Sequence, residues 1–117
     1  MGDFKQLKAW QEAMDLIEQV YRESARFPAA ERYGLQSQIR RAAVSVAANI
    51  AEGTGKGSDR ELVRYLRIAR GSASEVECLC LVGGRLAYFG TDSLATLVAR
   101  VQTVSRLILA LQRGIGP

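Results

Sequence analysis

Histidine is absent from this 117-residue chain. Its absence removes the side chain that most often titrates near neutral pH, the commonest zinc and iron ligand, and the base of any Ser-His or Cys-His nucleophile pair. Enzymatic readings therefore start weak, and no metal site or cofactor is expected. Cysteine is nearly as scarce, with Cys78 and Cys80 the only two. Two positions apart on a helix, they point about 200° from each other. They neither clamp a metal together nor bridge, and both read as reduced groups in apolar packing. No long apolar run and no charged-then-apolar leader occurs, so a cytoplasmic protein without a membrane span is expected. Pro28 and Pro117 are the only prolines, and Pro28 disfavours helical geometry in the residue before it.

What remains is a soluble globular composition, 48% hydrophobic and 24% charged, long enough for one domain over residues 1–117 that removes about two thirds of the extended chain's surface from water. The net charge is +4, and thirteen of the sixteen cationic side chains are arginine. Arginine is the better fork for phosphate, although high-GC codon usage enriches it as well.

Residues 35–53 carry two patterns on one predicted helix. Leu35, Ile39, Ala43, Val46 and Ile50 fall within an arc of about 80°, the apolar stripe of an amphipathic helix. Gln38, Arg41, Ser45, Asn49 and Glu52 form a second stripe centred about 120° away. These mostly short polar groups sit among Ala42, Ala47, Ala48 and Ala51, which let another helix approach closely. Two readings stand: a structural hydrogen-bond network, or direct contact with a ligand.

The rest of the chain repeats the helical period. A first helix over residues 6–26 carries Trp10, Ala13, Ile17, Val20, Ser24 and Phe27, and the second spans 34–53. Residues 53–58, GTGKGS, do not fit a phosphate-binding loop, because Lys56 is followed by Gly57 and a helix, not a strand, precedes. They read instead as a helix end at Gly53, a turn, and a capping box from Ser58 to Glu61. The third helix, 59–89, alternates Leu62, Leu66, Ala69, Ala73, Val76 and Cys80 on one side with Arg60, Arg64, Arg67 and Arg70 opposite. From Cys78 to Val82 it is apolar all round, which calls for burial on more than one side. A fourth helix, 92–112, capped by Thr91 or Asp92, carries a seam of Leu94, Leu97, Val101, Val104, Ile108 and Leu111, with Leu107 and Leu109 off it. Four helices with short links and no strand signal predict an all-α, antiparallel up-down-up-down four-helix bundle. The surplus apolar residues Leu79, Leu81, Val82, Leu107 and Leu109 predict an oligomer interface. Bundle metal sites use Glu with Glu-x-x-His pairs, which a chain without histidine does not supply.

Three segments, FKQLKAWQEAMDL, FPAAERYGLQSQIRRAAVSVAANIAEG and YLRIARGSASEVE, resemble the four helix bundle proteins related to the 23S rRNA intervening-sequence protein. The resemblance covers nearly the whole chain up to Phe89, and the fourth helix matches by pattern only. Ala47 and Ala48 stand where many members have a proline, which leaves this helix more regular. The resemblance implies a homopentameric barrel without established enzymatic activity. Some members are encoded inside intervening sequences of large-subunit rRNA genes. A related group, the accessory proteins of diversity-generating retroelements, is thought to bind nucleic acid and a reverse transcriptase. Ser72 and Glu75, within the third matching segment, join Gln38, Ser45, Asn49 and Glu52 in the expected polar network.

Two functions follow as expectations. In the first, a non-enzymatic oligomeric scaffold binds RNA or DNA through phosphate contacts from Lys56, Arg60, Arg64, Arg67 and Arg70, with Arg40 or Arg41. In the second, a ring of subunits is a protein-interaction adaptor and the arginines form a solvated, partly ion-paired face. The sequence shows no base-reading motif and no aromatics interleaved with the basic residues, so any nucleic-acid binding is expected to be nonspecific or shape-directed.

Overall fold

The computed structural model describes residues 3–115. Four helices form: α1 (Lys8–Ser24), α2 (Leu35–Thr54), α3 (Asp59–Arg85) and α4 (Thr91–Gly114), with short 3-10 turns at Phe4–Gln6 and Ala29–Glu31. There is no strand among the described residues. The helices stand at the corners of a square whose sides are α1–α2, α2–α3, α3–α4 and α4–α1.

The second-helix stripe goes where its period predicts: Leu35, Ile39, Ala43, Val46 and Ile50 are all buried. So are Leu62, Leu66, Ala69, Ala73, Val76 and Cys80 of α3, and Leu97, Val101, Val104 and Ile108 of α4. Each of the large side chains among them stabilises the fold by about 1.5–3 kcal/mol. Of the stripe expected for α1, Ala13, Val20, Ser24 and Phe27 are buried, but the buried arc extends to Leu16, fully buried, while Trp10 and Ile17 at its other edge are only partly so. α4 is the one described helix long and apolar enough by composition to cross a membrane, yet its apolar seam is spent on α1 and α3.

Several boundaries differ from the sequence reading, each for a local reason. Gly53 does not end α2. The helix runs on through Thr54 to Gly55, whose N–H reaches the Ala51 and Glu52 carbonyls at 3.2 and 3.1 Å. Gly53 is instead a buried contact point: a Cβ there would lie 2.8 Å from Tyr65 Cβ and 3.2 Å from Leu62 Cδ1. At Ser58 only half of a capping box forms. Ser58 Oγ accepts from Glu61 N at 3.2 Å, but the Glu61 carboxylate turns to Arg64 Nε at 3.0 Å. α3 stops at Arg85 rather than at residue 89, because Ala87 adopts φ 61°. Tyr88 N then bonds the Gly83 carbonyl at 2.8 Å and Ala87 N the Gly84 carbonyl at 3.1 Å, the paired bonds of a Schellman ending. Neither Thr91 nor Asp92 caps α4; its N-cap is Gly90, with no side-chain bond.

Two glycines late in α3 are explained by this ending. A Cβ on Gly83 would meet the Phe89 ring at 2.7 Å, and one on Gly84 would meet Leu94 Cδ2 at 2.5 Å. At Gly71 nothing lies within 4 Å.

Candidate functional site

The polar stripe of α2 is partly a network. Ser45 Oγ and Ser72 Oγ lie 2.9 Å apart across the α2–α3 interface, and Asn49 Nδ2 donates to the Ser45 carbonyl at 2.8 Å and to Ser45 Oγ at 3.0 Å. Buried Ala42 and Ala47 leave room for that approach. Gln38, Glu52 and Glu75 are exposed and form no part of it. Glu52 instead pairs with Lys56 at 3.7 Å. Gln38, Arg41, Ser45 and Glu75 line a shallow cavity of about 220 Å³ beside the serine pair.

The arginines of α3 divide between two neighbours. Arg60 and Arg67, seven residues apart on one face, are exposed and meet Arg113 and Gln112 from the end of α4 around a cleft of about 630 Å³ with Asp59 at its rim. Arg113 was not among the sequence candidates, because only the folded bundle brings residue 113 beside residue 60. The buried Gln112 Oε1 has no hydrogen-bond partner among the described residues. Arg64 leans the other way. Its side chain bonds Glu61 and lies 4.7 Å over the Tyr65 ring, with Lys56 5.6 Å from the same ring. The hydrogen bond to Glu61 raises the Arg64 pKa further, so the group stays cationic with part of its field neutralised. Arg70 is half-buried.

Arg40 has a structural task. Its Nε donates to Ser24 Oγ at 2.8 Å, its Nη2 to the Tyr21 carbonyl at 3.0 Å, and its guanidinium lies 4.5 Å over the Tyr21 ring. With Gln36 Nε2 on the Ser24 carbonyl at 2.8 Å, it satisfies the last carbonyls of α1, where a cation also suits the helix dipole. Arg41 is exposed and borders an open groove of about 530 Å³ shared with Tyr21, Arg32 and Tyr33. Basic and aromatic side chains thus do come together, contrary to the expectation from sequence. Tyr21 and Arg40 do so across the α1–α2 link, which no linear spacing displays, while Arg32 and Tyr33 are sequence neighbours.

The residues expected at an oligomer interface lie in two environments. Leu81 and Val82 are 50% and 40% exposed, as is Leu86 just past the end of α3 at 50%, and with exposed Cys78 they make an apolar strip at the C-terminal end of α3. Ile68, 40% exposed, stands apart about 15 Å back along the helix. Leu79 and Leu107 pack partly on the chain's own core, and Leu109 is half-buried. Cys78, expected in apolar packing, faces outward, whereas Cys80 is fully buried. Burial, then the charge of Glu77, pushes the Cys80 thiol up to about 12. Among the described residues no group of three or more carboxylates and thiols is arranged to hold a metal ion.

Comparison with solved structures places the fold beside a crystal structure of a protein of unknown function from the S23 ribosomal protein family of Bacteroides thetaiotaomicron VPI-5482. The two are 18% identical, with a TM-score of 0.80 over 90% of this chain and 98% of that one. No curated protein matches the sequence. The family model described as 23S rRNA-intervening sequence protein matches residues 5–110, most of all four helices, and the chain belongs to that family.

Proposed function

We propose that this chain is a non-enzymatic, single-domain cytoplasmic scaffold that assembles as a ring and binds RNA or DNA through phosphate contacts. The observation that carries the reading is the exposed Arg60–Arg67 pair meeting Arg113 across the α3–α4 cleft, continued by Arg64 and Lys56. In this reading the helices run up-down-up-down. Support comes from the pairing of Gly53 with Tyr65, Ser45 with Ser72 and Glu31 with Tyr88, in which one partner's number falls as the other's rises. The family resemblance supports five copies, and the strip of Leu81, Val82 and Leu86 is the surface that a second copy would cover. Light scattering tests the assembly: five times the 12.8 kDa chain is expected, and a monomer at micromolar concentration would sink it.

The binding test is fluorescence anisotropy over a range of salt. Four arginines that each neutralise one duplex phosphate give a slope of about −3.6 in log affinity against log salt for each engaged subunit. Arg64→Ala with Arg67→Ala should reduce its magnitude by about 1.8, and equally for different sequences, because phosphate contacts position without reading bases. Binding that the double variant leaves untouched would favour the second reading, an adaptor ring. That reading is motivated by the same exposed apolar strip, with a protein such as a reverse transcriptase as its partner.

A further inference from the structure

The groove at the α1–α2 link is chemically unlike the α3 flank. Tyr33 is 88% exposed, so nearly all of its ring stands in water. Arg32 lies 5.6 Å from that ring, and Arg41 completes the cationic edge of the groove. Among the described residues no carboxylate lines it, and neither Arg32 nor Arg41 forms an ion pair.

The segment that presents Tyr33 is fastened on both sides. Glu31 N bonds the Pro28 carbonyl at 2.9 Å, Gly34 N the Glu31 carbonyl at 3.0 Å, and the Glu31 carboxylate takes Leu35 N at 3.1 Å and the Tyr88 hydroxyl at 2.9 Å. An exposed aromatic ring on a pinned backbone loses little freedom when something stacks on it, which is the condition for a stacking platform.

We propose that this groove binds one nucleotide of a single-stranded segment, the base stacked on Tyr33 and the adjoining phosphate held by Arg41 and Arg32. The inference rests on the nucleic-acid reading above and adds to it a preference for unpaired strands. A base inside a duplex already has both faces covered by its neighbours, whereas an unpaired base offers one to an aromatic ring. Arg40 also lines the groove, but its Nε and Nη2 are anchored to the end of α1, so the phosphate contacts are assigned to Arg41 and Arg32.

The test uses the full chain with two labelled probes of equal length, an oligouridylate single strand and an RNA duplex, titrated over salt. Tyr33→Ala should weaken the single strand about tenfold, the scale of one lost base–aromatic stack, while leaving its salt slope and the duplex affinity unchanged. Tyr33→Trp should restore or tighten single-strand binding. Arg41→Gln should reduce the magnitude of the single-strand slope by about 0.7. Tyr33 is too exposed for its loss to unfold the chain, and a thermal melt of each variant checks that.

Wild-type protein that binds both probes with steep salt dependence, but whose single-strand affinity Tyr33→Ala does not change, overturns this inference and leaves the phosphate reading standing. Equal losses on both probes also overturn it. A wild-type chain that binds neither probe at low salt overturns the nucleic-acid reading itself, and this inference with it. If poly-glutamate then binds in a Tyr33-dependent manner, the groove belongs to an acidic protein segment instead.

Discussion

The Tyr88 hydroxyl donates to Glu31 Oε2 at 2.9 Å across 57 positions of sequence, while Glu31 Oε1 accepts the Leu35 backbone N–H at 3.1 Å. One carboxylate therefore caps α2, whose own N-cap Gly34 offers no side chain, and ties the first link to the third. Gly34 leaves room for it, because a Cβ there would lie 2.7 Å from Glu31 Oε1 and displace the capping carboxylate. Phe27 closes the same end, its ring 5.1 Å from Phe89 and 5.3 Å from Tyr88.

Glu31→Ala should destabilise the chain by about 1–2 kcal/mol in urea melts, the size of a lost helix cap. The bond to Glu31 holds the Tyr88 pKa above its ordinary 10.0. A raised value favours the protonated phenol in the folded state, so this contribution is complete below 10.0 and disappears as pH rises through the folded value. The stability gap between wild type and Tyr88→Phe should be flat at neutral pH and narrow in alkali. A gap that widens in alkali would contradict it.

Gly53→Ala sets two effects against each other. Alanine improves helix propensity by up to about 1 kcal/mol, but its Cβ would meet Tyr65 Cβ at 2.8 Å, and two backbone-anchored atoms part only if α2 and α3 do. Overpacking costs about 1–3 kcal/mol, so a net loss of about 1 kcal/mol is expected by denaturant titration. Gly71→Ala is the control. With nothing within 4 Å, it should stabilise the isolated chain by up to about 1 kcal/mol.

Ala87 holds a left-handed conformation, φ 61°, that costs an alanine about 1–2 kcal/mol. Glycine removes that strain but loses about 0.4–1 kcal/mol to its freer unfolded chain. Ala87→Gly should therefore raise stability by about 0.5–1 kcal/mol, visible as a higher melting temperature. An unchanged or lower melting temperature would mean that the αL ending carries no strain.

The seams of α2, α3 and α4 were legible because a 3.6-residue period reports burial directly. The α1 stripe was legible in part: Ala13, Val20, Ser24 and Phe27 are buried, while Leu16, about 100° from its neighbour Ile17, was left out of a stripe that ran through Ile17. Element ends were misplaced where sequence signals had other uses: Gly53 serves packing, and Ala87 does what glycine usually does. The candidate site was legible only as far as one helix face extends. Arg60 and Arg67 share a face and could be read together, but Arg113 joins them through tertiary packing. Arg40 looks like its neighbour Arg41 in sequence, yet one is fastened to α1 and the other stands free.

Within the polar stripe of α2, Asn49 acts locally. Both Asn49 bonds run to Ser45 on its own helix, and the bond between helices belongs to Ser45 and Ser72. Asn49→Ala should cost about 0.5–1.5 kcal/mol, the net value of an ordinary hydrogen bond. A double-mutant cycle on Ser45→Ala and Ser72→Ala should show coupling of at least about 0.5 kcal/mol. Additive losses would mean that the serines do not act as a pair.

The two cysteines, two positions apart in sequence and opposite in exposure, give a chemical readout of both core and assembly. Thiol reagents attack the thiolate. With Cys80 buried and its thiol pushed up to about 12, only about one molecule in ten thousand is ionised there at pH 8. Cys78 is exposed. Labelling at pH 8 should therefore modify one thiol quickly and the second only after denaturant is added, with mass spectrometry placing the first at Cys78. Cys78 also borders Leu81 and Val82 on the apolar strip of α3. If a second copy covers that strip, the fast reaction should slow as protein concentration rises through the assembly range, and Leu81→Glu should restore it. A Cys78 rate independent of concentration, in a protein that light scattering shows to be oligomeric, would move the interface to another face of the bundle.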